Sequence, residues 1–407
     1  MYLSNRVHRT TATTVLIAAL ACSGCGRDHK SAGSAGDPIL IGVSLPLTGD
    51  FSEPGKGIQR GYEVWAKVVN DGGGLLGRPV KLKFLDDQSS ADRVVSDYEQ
   101  LVGKDKVNLL FGPFSTRLVV PAARVAEEYG MLFVEPAGAA KQVFEQGFKN
   151  LFYAAPAVAT EHYKLLASYL LALPEATRPK TAAYASMDDP FAQSTAYGLK
   201  AKLEAGGITT LVNEVYPPST TDFSSIAAKI AASKADIVVG GTQYQDGVNL
   251  IIALQQLAYQ PKLAAFSTAP TEAEFTKAIG NKAEGILAPT GYTPQSKFPS
   301  NVEFVRKYAA QFGGPPGEDE ANGYTTGQVV AAAVLAVGCA EQGDCQRKLV
   351  SWVRDHQVET VVGALKWDDK GRPQGAHMIQ QWVGGKIQVV LPDAMKEADL
   401  IYPKPTW

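Results

Sequence analysis

The feature that most constrains the fold is an alternation of strand and helix patterns, which continues from about residue 39 to about residue 268. The apolar stretch ILIGVSLP is typical of a buried strand. It is followed by a segment in which Ile58, Tyr62, Trp65 and Val69 recur at helical spacing. Strands joined by helices of this length form parallel, doubly wound sheets. We therefore predict an α/β protein.

The chain is long enough for two such units. It has 407 residues, more than one compact domain usually holds. A second strand–helix series begins near residue 160 and follows the same plan without repeating the sequence. We therefore predict two Rossmann-like lobes, each with a parallel central sheet.

The C-terminal part departs from this alternation. Residues from about 301 to 355 have helical patterns, and strand patterns follow, with turns at Asp368–Lys370 and Gly384–Gly385. This tail must rejoin one or both lobes. The lobes are therefore expected to be connected by more than one segment.

Residues 1–25 are predicted to be a lipoprotein-type signal peptide. A basic start is followed by the apolar stretch TTATTVLIAALA, which is too short to anchor the chain across a bilayer. Small residues and Cys22 come next and resemble a bacterial lipoprotein cleavage site, with Cys25 as the competing position for lipidation. Plain secretion is the alternative. Residues 26–37 are predicted to form a flexible tether.

Two further cysteines, Cys339 and Cys345, lie close together between two helical patterns. Export of the protein would allow a disulfide, and we expect these two residues to form one. A metal site is not expected, because two cysteines without a nearby histidine do not complete a tetrahedral shell.

Composition and motifs argue against several classes of function. The formal net charge of −2 gives no attraction for nucleic acid or an anionic membrane surface. Nucleophile-elbow, zinc-protease and phosphate-loop motifs are missing. The sequence therefore predicts neither an enzyme nor a bound cofactor.

The loops after the predicted strands are the best candidates for a ligand site. In open α/β sheets, ligands bind beyond the carboxyl ends of the strands. Ser115 and Thr116 stand in such a loop and at the start of a helix, where free N–H groups favour an anion such as a carboxylate. Capping of the helix alone is the alternative.

From about Asp37 onward, the chain resembles the type I periplasmic binding proteins of the leucine/isoleucine/valine-binding class. The segments that carry this resemblance are the opening IGVSLPLTGDFSEPGKG, then FGPFSTRLVVPAARVAEEYG, YPPSTTDFSSIAAKI and PTGYTPQSKFPSNVEFVRKYAAQFG. No single segment is decisive, but their order along the chain is specific.

This resemblance implies two lobes joined by three hinge crossings, near Ala154–Pro156, Pro289–Thr290 and Trp367. Lobe 1 would comprise residues 38–155 and 290–366, and lobe 2 residues 156–289 and 367–407. Such proteins bind a small solute in the cleft and deliver it to an ABC permease in the inner membrane.

The resemblance also implies roles for individual residues. Thr116 would hold a ligand α-carboxylate, and the turn of Ala137, Gly138 and Ala139 would offer a backbone carbonyl and a backbone N–H. The hydroxyl that the family has at the end of this turn is absent, because the residue is Ala139.

Lobe 2 departs further from the family's amino-acid binders. Thr242 stands where they have a tyrosine, and Ser267 and Thr268 stand where they have a carboxylate. The acid that would balance an α-ammonium group is therefore missing, although Asp189 or Asp246 could replace it.

Aromatic residues are expected to surround the body of the ligand: Phe51, Tyr153, Phe191, Tyr244 and Tyr324. For each of them, ordinary packing is the alternative. Together they favour a hydrophobic or aromatic ligand with a carboxylate or amide head, which includes branched-chain amino acids.

We therefore expect an exported, lipid-anchored and monomeric solute-binding protein of the periplasm or extracytoplasmic space. Its partners would be a small ligand and an ABC permease. A sensor of the same fold, which controls a regulatory partner, is the alternative.

Overall fold

The computed structural model describes residues 36–272, 274–298 and 300–407, and Gly36–Trp407 form one compact unit. The predicted signal peptide, the candidate lipidation sites Cys22 and Cys25 and most of the tether lie outside the described residues. Within the described ranges, no helix is both long enough and apolar enough to cross a membrane.

Lobe 1 is built on a five-stranded parallel sheet with the order β2-β1-β3-β4-β5. Its strands are β1 (Ile39–Leu45), β2 (Val80–Asp86), β3 (Leu109–Phe111), β4 (Phe133–Glu135) and β5 (Leu151–Tyr153). The helices between them are α1 (Ser52–Asp71), α2 (Ala91–Glu99) and α3 (Thr116–Glu128). Strand β1 is almost entirely buried, because its side chains pack in the apolar clusters on both faces of the sheet.

The second strand–helix series forms lobe 2. Its strands are β6 (Thr181–Met187), β7 (Thr209–Tyr216), β8 (Ile237–Gly241), β9 (Leu263–Phe266) and β10 (Ile286–Thr290). Its helices are α4 (Lys164–Ala172), α5 (Pro190–Ala205), α6 (Ser224–Ser233), α7 (Tyr244–Gln256) and α8 (Phe275–Ile279).

The C-terminal part returns to both lobes. Its elements are α9 (Asn301–Phe312), α10 (Glu318–Val337), α11 (Asp344–Asp355), β11 (Val358–Thr360), β12 (Gly363–Leu365), β13 (Met378–Val383) and β14 (Lys386–Leu391). Helix α10 packs along α1 in lobe 1, whereas β13 and β14 extend the lobe 2 sheet to the order β14-β13-β10-β9-β8-β6-β7. Strand β13 pairs antiparallel with β10, and β14 pairs antiparallel with β13. The predicted parallel sheets are therefore confirmed except at this edge of the lobe 2 sheet.

The third crossing lies later in the chain than predicted. Trp367 is buried in the lobe 1 core, its indole N–H donates to the Tyr153 carbonyl at 2.7 Å, and its ring lies 5.8 Å from Phe152. The backbone carbonyl of Gly371 still accepts from the Tyr153 N–H, so the chain leaves lobe 1 only after Gly371.

The three crossings touch one another. The Gly375 N–H donates to the Pro156 carbonyl at 2.9 Å, which joins the third crossing to the first. A Cβ atom on Gly291, in the second crossing, would lie 3.0 Å from Pro156 and 3.1 Å from the His377 ring. A side chain at this position would therefore wedge the crossings apart.

Candidate functional site

The start of α3 carries the strongest signs of a ligand site. Ser115 precedes the helix with φ 77° and ψ 149°, a region that is nearly restricted to glycine. Its side chain makes no capping hydrogen bond, and its Oγ atom is buried without a hydrogen-bond partner. Backbone strain and an unpaired hydroxyl both cost free energy, and neither is explained by helix capping.

Thr116 is the first residue of α3 and is 2 % exposed. Its Oγ1 accepts from the Ala140 N–H at 3.3 Å, which leaves its own O–H free to donate to a ligand. In the first turn of α3, the N–H groups of Leu118 and Val119 already donate to the Ser115 carbonyl, at 3.0 Å and 2.9 Å, so the first two N–H groups of the helix are the ones that lack a partner within it. The two hydroxyls and these N–H groups form a set of donors suited to a carboxylate.

The turn after β4 differs from the expectation. The Glu135 carboxylate folds back so that its Oε2 accepts from the N–H groups of Ala137, at 2.8 Å, and Gly138. The Ala139 carbonyl accepts from the Ala159 N–H at 2.8 Å. One carbonyl and two N–H groups of this turn are therefore already engaged within the protein.

Glu135 was not identified from the sequence. Its side chain is fully buried, its Oε1 has no hydrogen-bond partner, and burial raises its pKa to about 8. A Cβ atom on Gly112 would lie 2.3 Å from the Glu135 Cβ, so the glycine provides the space for this side chain. The available signal was an acidic residue directly at the end of an apolar strand, MLFVE.

In lobe 2, Ser267 has a structural role. Its hydroxyl accepts from the Thr242 N–H at 2.8 Å and donates to the Thr242 carbonyl at 2.7 Å. This pair of bonds ties the loop after β9 to the loop after β8. The Thr242 hydroxyl is buried without a partner, whereas the Ser267 hydroxyl is no longer available to donate to a ligand.

The two candidate acids of lobe 2 also have partners. Asp189 caps α5 by accepting from the N–H groups of Phe191 and Ala192, each at 3.0 Å. Asp246 accepts from the Tyr216 hydroxyl at 2.7 Å. Both carboxylates are therefore engaged by neutral donors, while the Asp246 Oδ1 is buried without a partner.

The aromatic candidates divide between the lobes. Phe51 packs edge-to-face on Phe114 with ring centres 5.7 Å apart, and the Arg117 guanidinium lies 6.0 Å from the Phe51 ring centre. Phe191 of lobe 2 packs against the same lobe 1 cluster, which also contains Tyr153. An aromatic cluster therefore spans both lobes beside the start of α3.

Three other candidates have contacts within their own lobes. Tyr324 is buried in the lobe 1 core with its ring 4.5 Å from Phe304, where it packs α10 on α9. Tyr244 starts α7 and packs on the lobe 2 core, and the Thr268 carbonyl accepts from the Thr271 hydroxyl at 2.8 Å. These contacts stabilise the individual lobes.

Two buried histidines meet among the crossings and were also missed in the sequence. The His162 and His377 rings stack with centres 3.8 Å apart, and His377 Nε2 lies 3.4 Å from a Glu318 oxygen. The other Glu318 oxygen accepts from the Thr290 hydroxyl at 3.0 Å. Spacing could not reveal this contact, because the two histidines are far apart in the chain.

Cys339 and Cys345 form a disulfide between α10 and α11. These sulfurs and a Glu341 carboxylate oxygen are also close enough to one another to suggest a metal site. The disulfide removes both thiolates that a metal would need.

Comparison with known proteins identifies relatives over most of the chain. Residues 38–386 match the family model described as periplasmic binding protein. The Leu/Ile/Val-binding protein BraC3 of Rhizobium johnstonii is 27% identical over 350 residues, which cover 86% of this chain and 93% of that relative.

Solved structures share the fold. A solute-binding protein of an ABC transporter from R. palustris, in complex with benzoate, has a TM-score of 0.76 at 20% identity. The match covers 91% of this chain and 98% of that structure's chain. The branched-chain amino acid transporter substrate binding protein LivJ of Streptococcus pneumoniae, in complex with isoleucine, has a TM-score of 0.76 at 19% identity. The match covers 90% of this chain and 100% of the LivJ chain.

Proposed function

This chain belongs to the periplasmic binding protein family, a non-enzymatic family of solute binders, and we propose that it is the solute-binding component of an ABC importer. It acts outside the cytoplasm and passes a small ligand from the cleft between its lobes to a permease. A lipid on Cys22 or Cys25 anchors it to the membrane, and it works as a monomer.

The ligand carries a carboxylate or amide head, which binds at the start of α3. The observation that carries this proposal is the strained Ser115 with its buried, unpartnered hydroxyl beside the free O–H of Thr116. Strain of this kind persists where the surrounding structure enforces it, and it is concentrated at ligand sites. A bound carboxylate would accept from both hydroxyls and from the helix N–H groups.

The rest of the ligand is apolar and lacks an α-ammonium group. The aromatic cluster of Phe51, Phe114, Tyr153 and Phe191 provides an apolar surface beside the carboxylate subsite. In lobe 2, Ser267 and Thr268 stand where the family's amino-acid binders have a carboxylate, and the Ser267 hydroxyl is engaged with the backbone of Thr242. An ammonium group would lose hydration there without that carboxylate to balance it. We therefore favour aromatic or branched aliphatic carboxylates over amino acids.

Binding closes the two lobes by a shift of populations. A ligand that contacts α3 in lobe 1 and Phe191 in lobe 2 stabilises the closed form over the open one. The three crossings act as the hinge, since their backbones are the connections between the lobes.

A thermal-shift screen with matched ligand pairs tests this proposal. Leucine is compared with 4-methylpentanoate, and phenylalanine with 3-phenylpropanoate, so that each pair differs in the amino group; benzoate is added. A ligand at about 100 times its dissociation constant stabilises the folded protein by about 2.7 kcal/mol, which gives a measurable shift in melting temperature.

We expect the carboxylates without an amino group to raise the melting temperature. A shift by the amino acids alone would refute the proposed absence of an α-ammonium group. No shift with any of the five compounds would refute a site for apolar carboxylates.

A further inference from the structure

Glu135 is a buried acid that the proposed carboxylate subsite does not by itself require. One of its oxygens accepts hydrogen bonds from two backbone N–H groups, and the other is buried without a hydrogen-bond partner. It lies beneath the turn of residues 137–140, and the last N–H of that turn donates to the Thr116 hydroxyl. One short turn therefore connects Glu135 to the residue that is proposed to bind the ligand.

The contacts of Glu135 determine which backbone N–H groups of this turn are available to a ligand. The N–H groups of Ala137 and Gly138 point to its carboxylate, so they cannot also donate to a ligand. A carboxylate ligand must then rely on the start of α3. Such a ligand would add a second negative charge to a lobe that already holds the fully buried carboxyl group of Glu135, and burial weakens the screening of a repulsion between the two.

We propose that Glu135 is a positioning and charge-selecting residue of the cleft, which holds the 137–140 turn against Thr116 and disfavours a carboxylate ligand whenever its own carboxyl group is ionised. This inference rests on the proposed function. It adds that the cleft takes carboxylates best when Glu135 carries a proton, and that a proton from the solvent is taken up when such a ligand binds at alkaline pH.

The surroundings of Glu135 favour its neutral form. Tyr62 of α1 and Tyr153 of β5 are the titratable side chains near it, and both have pKa values that burial raises well above the ordinary range. At the start of α10, Glu318 and Asp319 are close enough to raise the pKa of Tyr153 as well. These groups add no positive charge.

The remaining elements around Glu135 offer no counter-charge either. Val119 of α3 lies next to Gly138, and Gly112, directly after β3, lies next to Glu135. The charged residues of α3 lie on its exposed or half-exposed side and are Arg117, Arg124, Glu127 and Glu128. Within the described residues, Glu135 forms no ion pair. Burial therefore dominates, in agreement with the pKa of about 8.

The test measures benzoate affinity from pH 6 to pH 9 by calorimetry, for the full chain purified with its own leader from the envelope of an expression host. We expect the dissociation constant of the unchanged protein to rise about tenfold over this range as Glu135 ionises. In Glu135→Gln, which keeps the size of the side chain and removes its charge, the dissociation constant should stay constant.

Glu127→Gln is the matched control. The Glu127 carboxylate also accepts backbone N–H groups, from Lys149 and Asn150, but it does so at the far end of α3. This variant should keep the pH dependence of the unchanged protein. A pH dependence that survives in Glu135→Gln, or a benzoate affinity that rises with pH, overturns the inference.

A measurement without ligand separates this inference from the proposed function. The pKa of Glu135 is raised from 4.5 to about 8 by folding, so the stability that depends on its protonation is fully present below pH 4.5 and is lost as pH rises to about 8. The urea midpoint of Glu135→Gln should therefore increase relative to the unchanged protein between pH 5 and pH 8.

If benzoate does not bind at all, it is excluded as a ligand, and the urea midpoints still decide whether Glu135 titrates as inferred. A constant difference between the two proteins overturns the inference. Should Glu135→Gln fail to fold, proton uptake is measured on the unchanged protein, from the benzoate binding enthalpy at pH 8 in buffers of different ionisation enthalpy. An enthalpy that does not depend on the buffer overturns the inference.

Discussion

Replacing Ser115 with glycine is expected to stabilise the ligand-free protein while weakening its complexes. Ser115 has φ 77° and ψ 149°, which costs a residue with a Cβ atom about 1–3 kcal/mol and costs glycine little. Its buried hydroxyl has no partner, and removing it relieves at least about 1 kcal/mol. The greater freedom of glycine in the unfolded chain offsets about 0.4–1 kcal/mol. The net gain should therefore be at least about 1 kcal/mol.

The assay is urea unfolding of Ser115→Gly, with Ser90→Gly as the matched control. Ser90 precedes α2 with φ −108°, and its hydroxyl accepts from the Arg93 N–H. This serine is an unstrained cap, so glycine there should cost a few tenths of a kcal/mol. The same substitution is thus expected to change the midpoint in opposite directions at the two sites.

Ligand binding completes this experiment. Whichever carboxylate raises the melting temperature of the unchanged protein should bind Ser115→Gly more weakly, because one donor is lost. If Ser115→Gly is less stable than the unchanged protein, the reasoning on strain is refuted. If it is more stable and binds the ligand equally well, Ser115 has no role in the site.

Three further predictions follow from particular contacts. Thr116→Val should weaken carboxylate binding about tenfold in calorimetry, the loss of one charge-assisted hydrogen bond, and an unchanged affinity with an intact fold would exclude that role. Burial, and then the charge of His377, lower the pKa of His162 well below 6.5. The contribution of the neutral His162 ring to stability is therefore complete above pH 6.5 and is lost as the pH falls below that value. His162→Phe should flatten this decline in urea midpoints, and an unaltered pH profile would contradict it. Replacing Cys339 and Cys345 by serine should lower the free energy of unfolding by about 2 kcal/mol, since they close a short loop six residues apart; equal urea midpoints would argue against that contribution.

Local patterns were sufficient for much of the architecture. The spacing of Ile58, Tyr62 and Trp65 predicted α1, and all three are buried on one face of that helix. The position of Thr116 after an apolar strand and before a helix was enough to place it at the edge of the sheet. The antiparallel strands β13 and β14 were predicted as strands, but their pairing depends on a partner, β10, that is distant in the chain.

The sequence by itself determined the two α/β lobes, the placement of polar loops at the strand ends and the start of α3 as a candidate anion site, because each depends on periodicity or on neighbouring residues. Only the tertiary structure decided which polar groups are free. Ser267 is occupied by the backbone of Thr242, and Glu135 occupies the turn that was expected to bind the ligand. The physical reason is that a buried polar group bonds with whatever folding brings beside it, and such partners leave no periodic trace in the sequence.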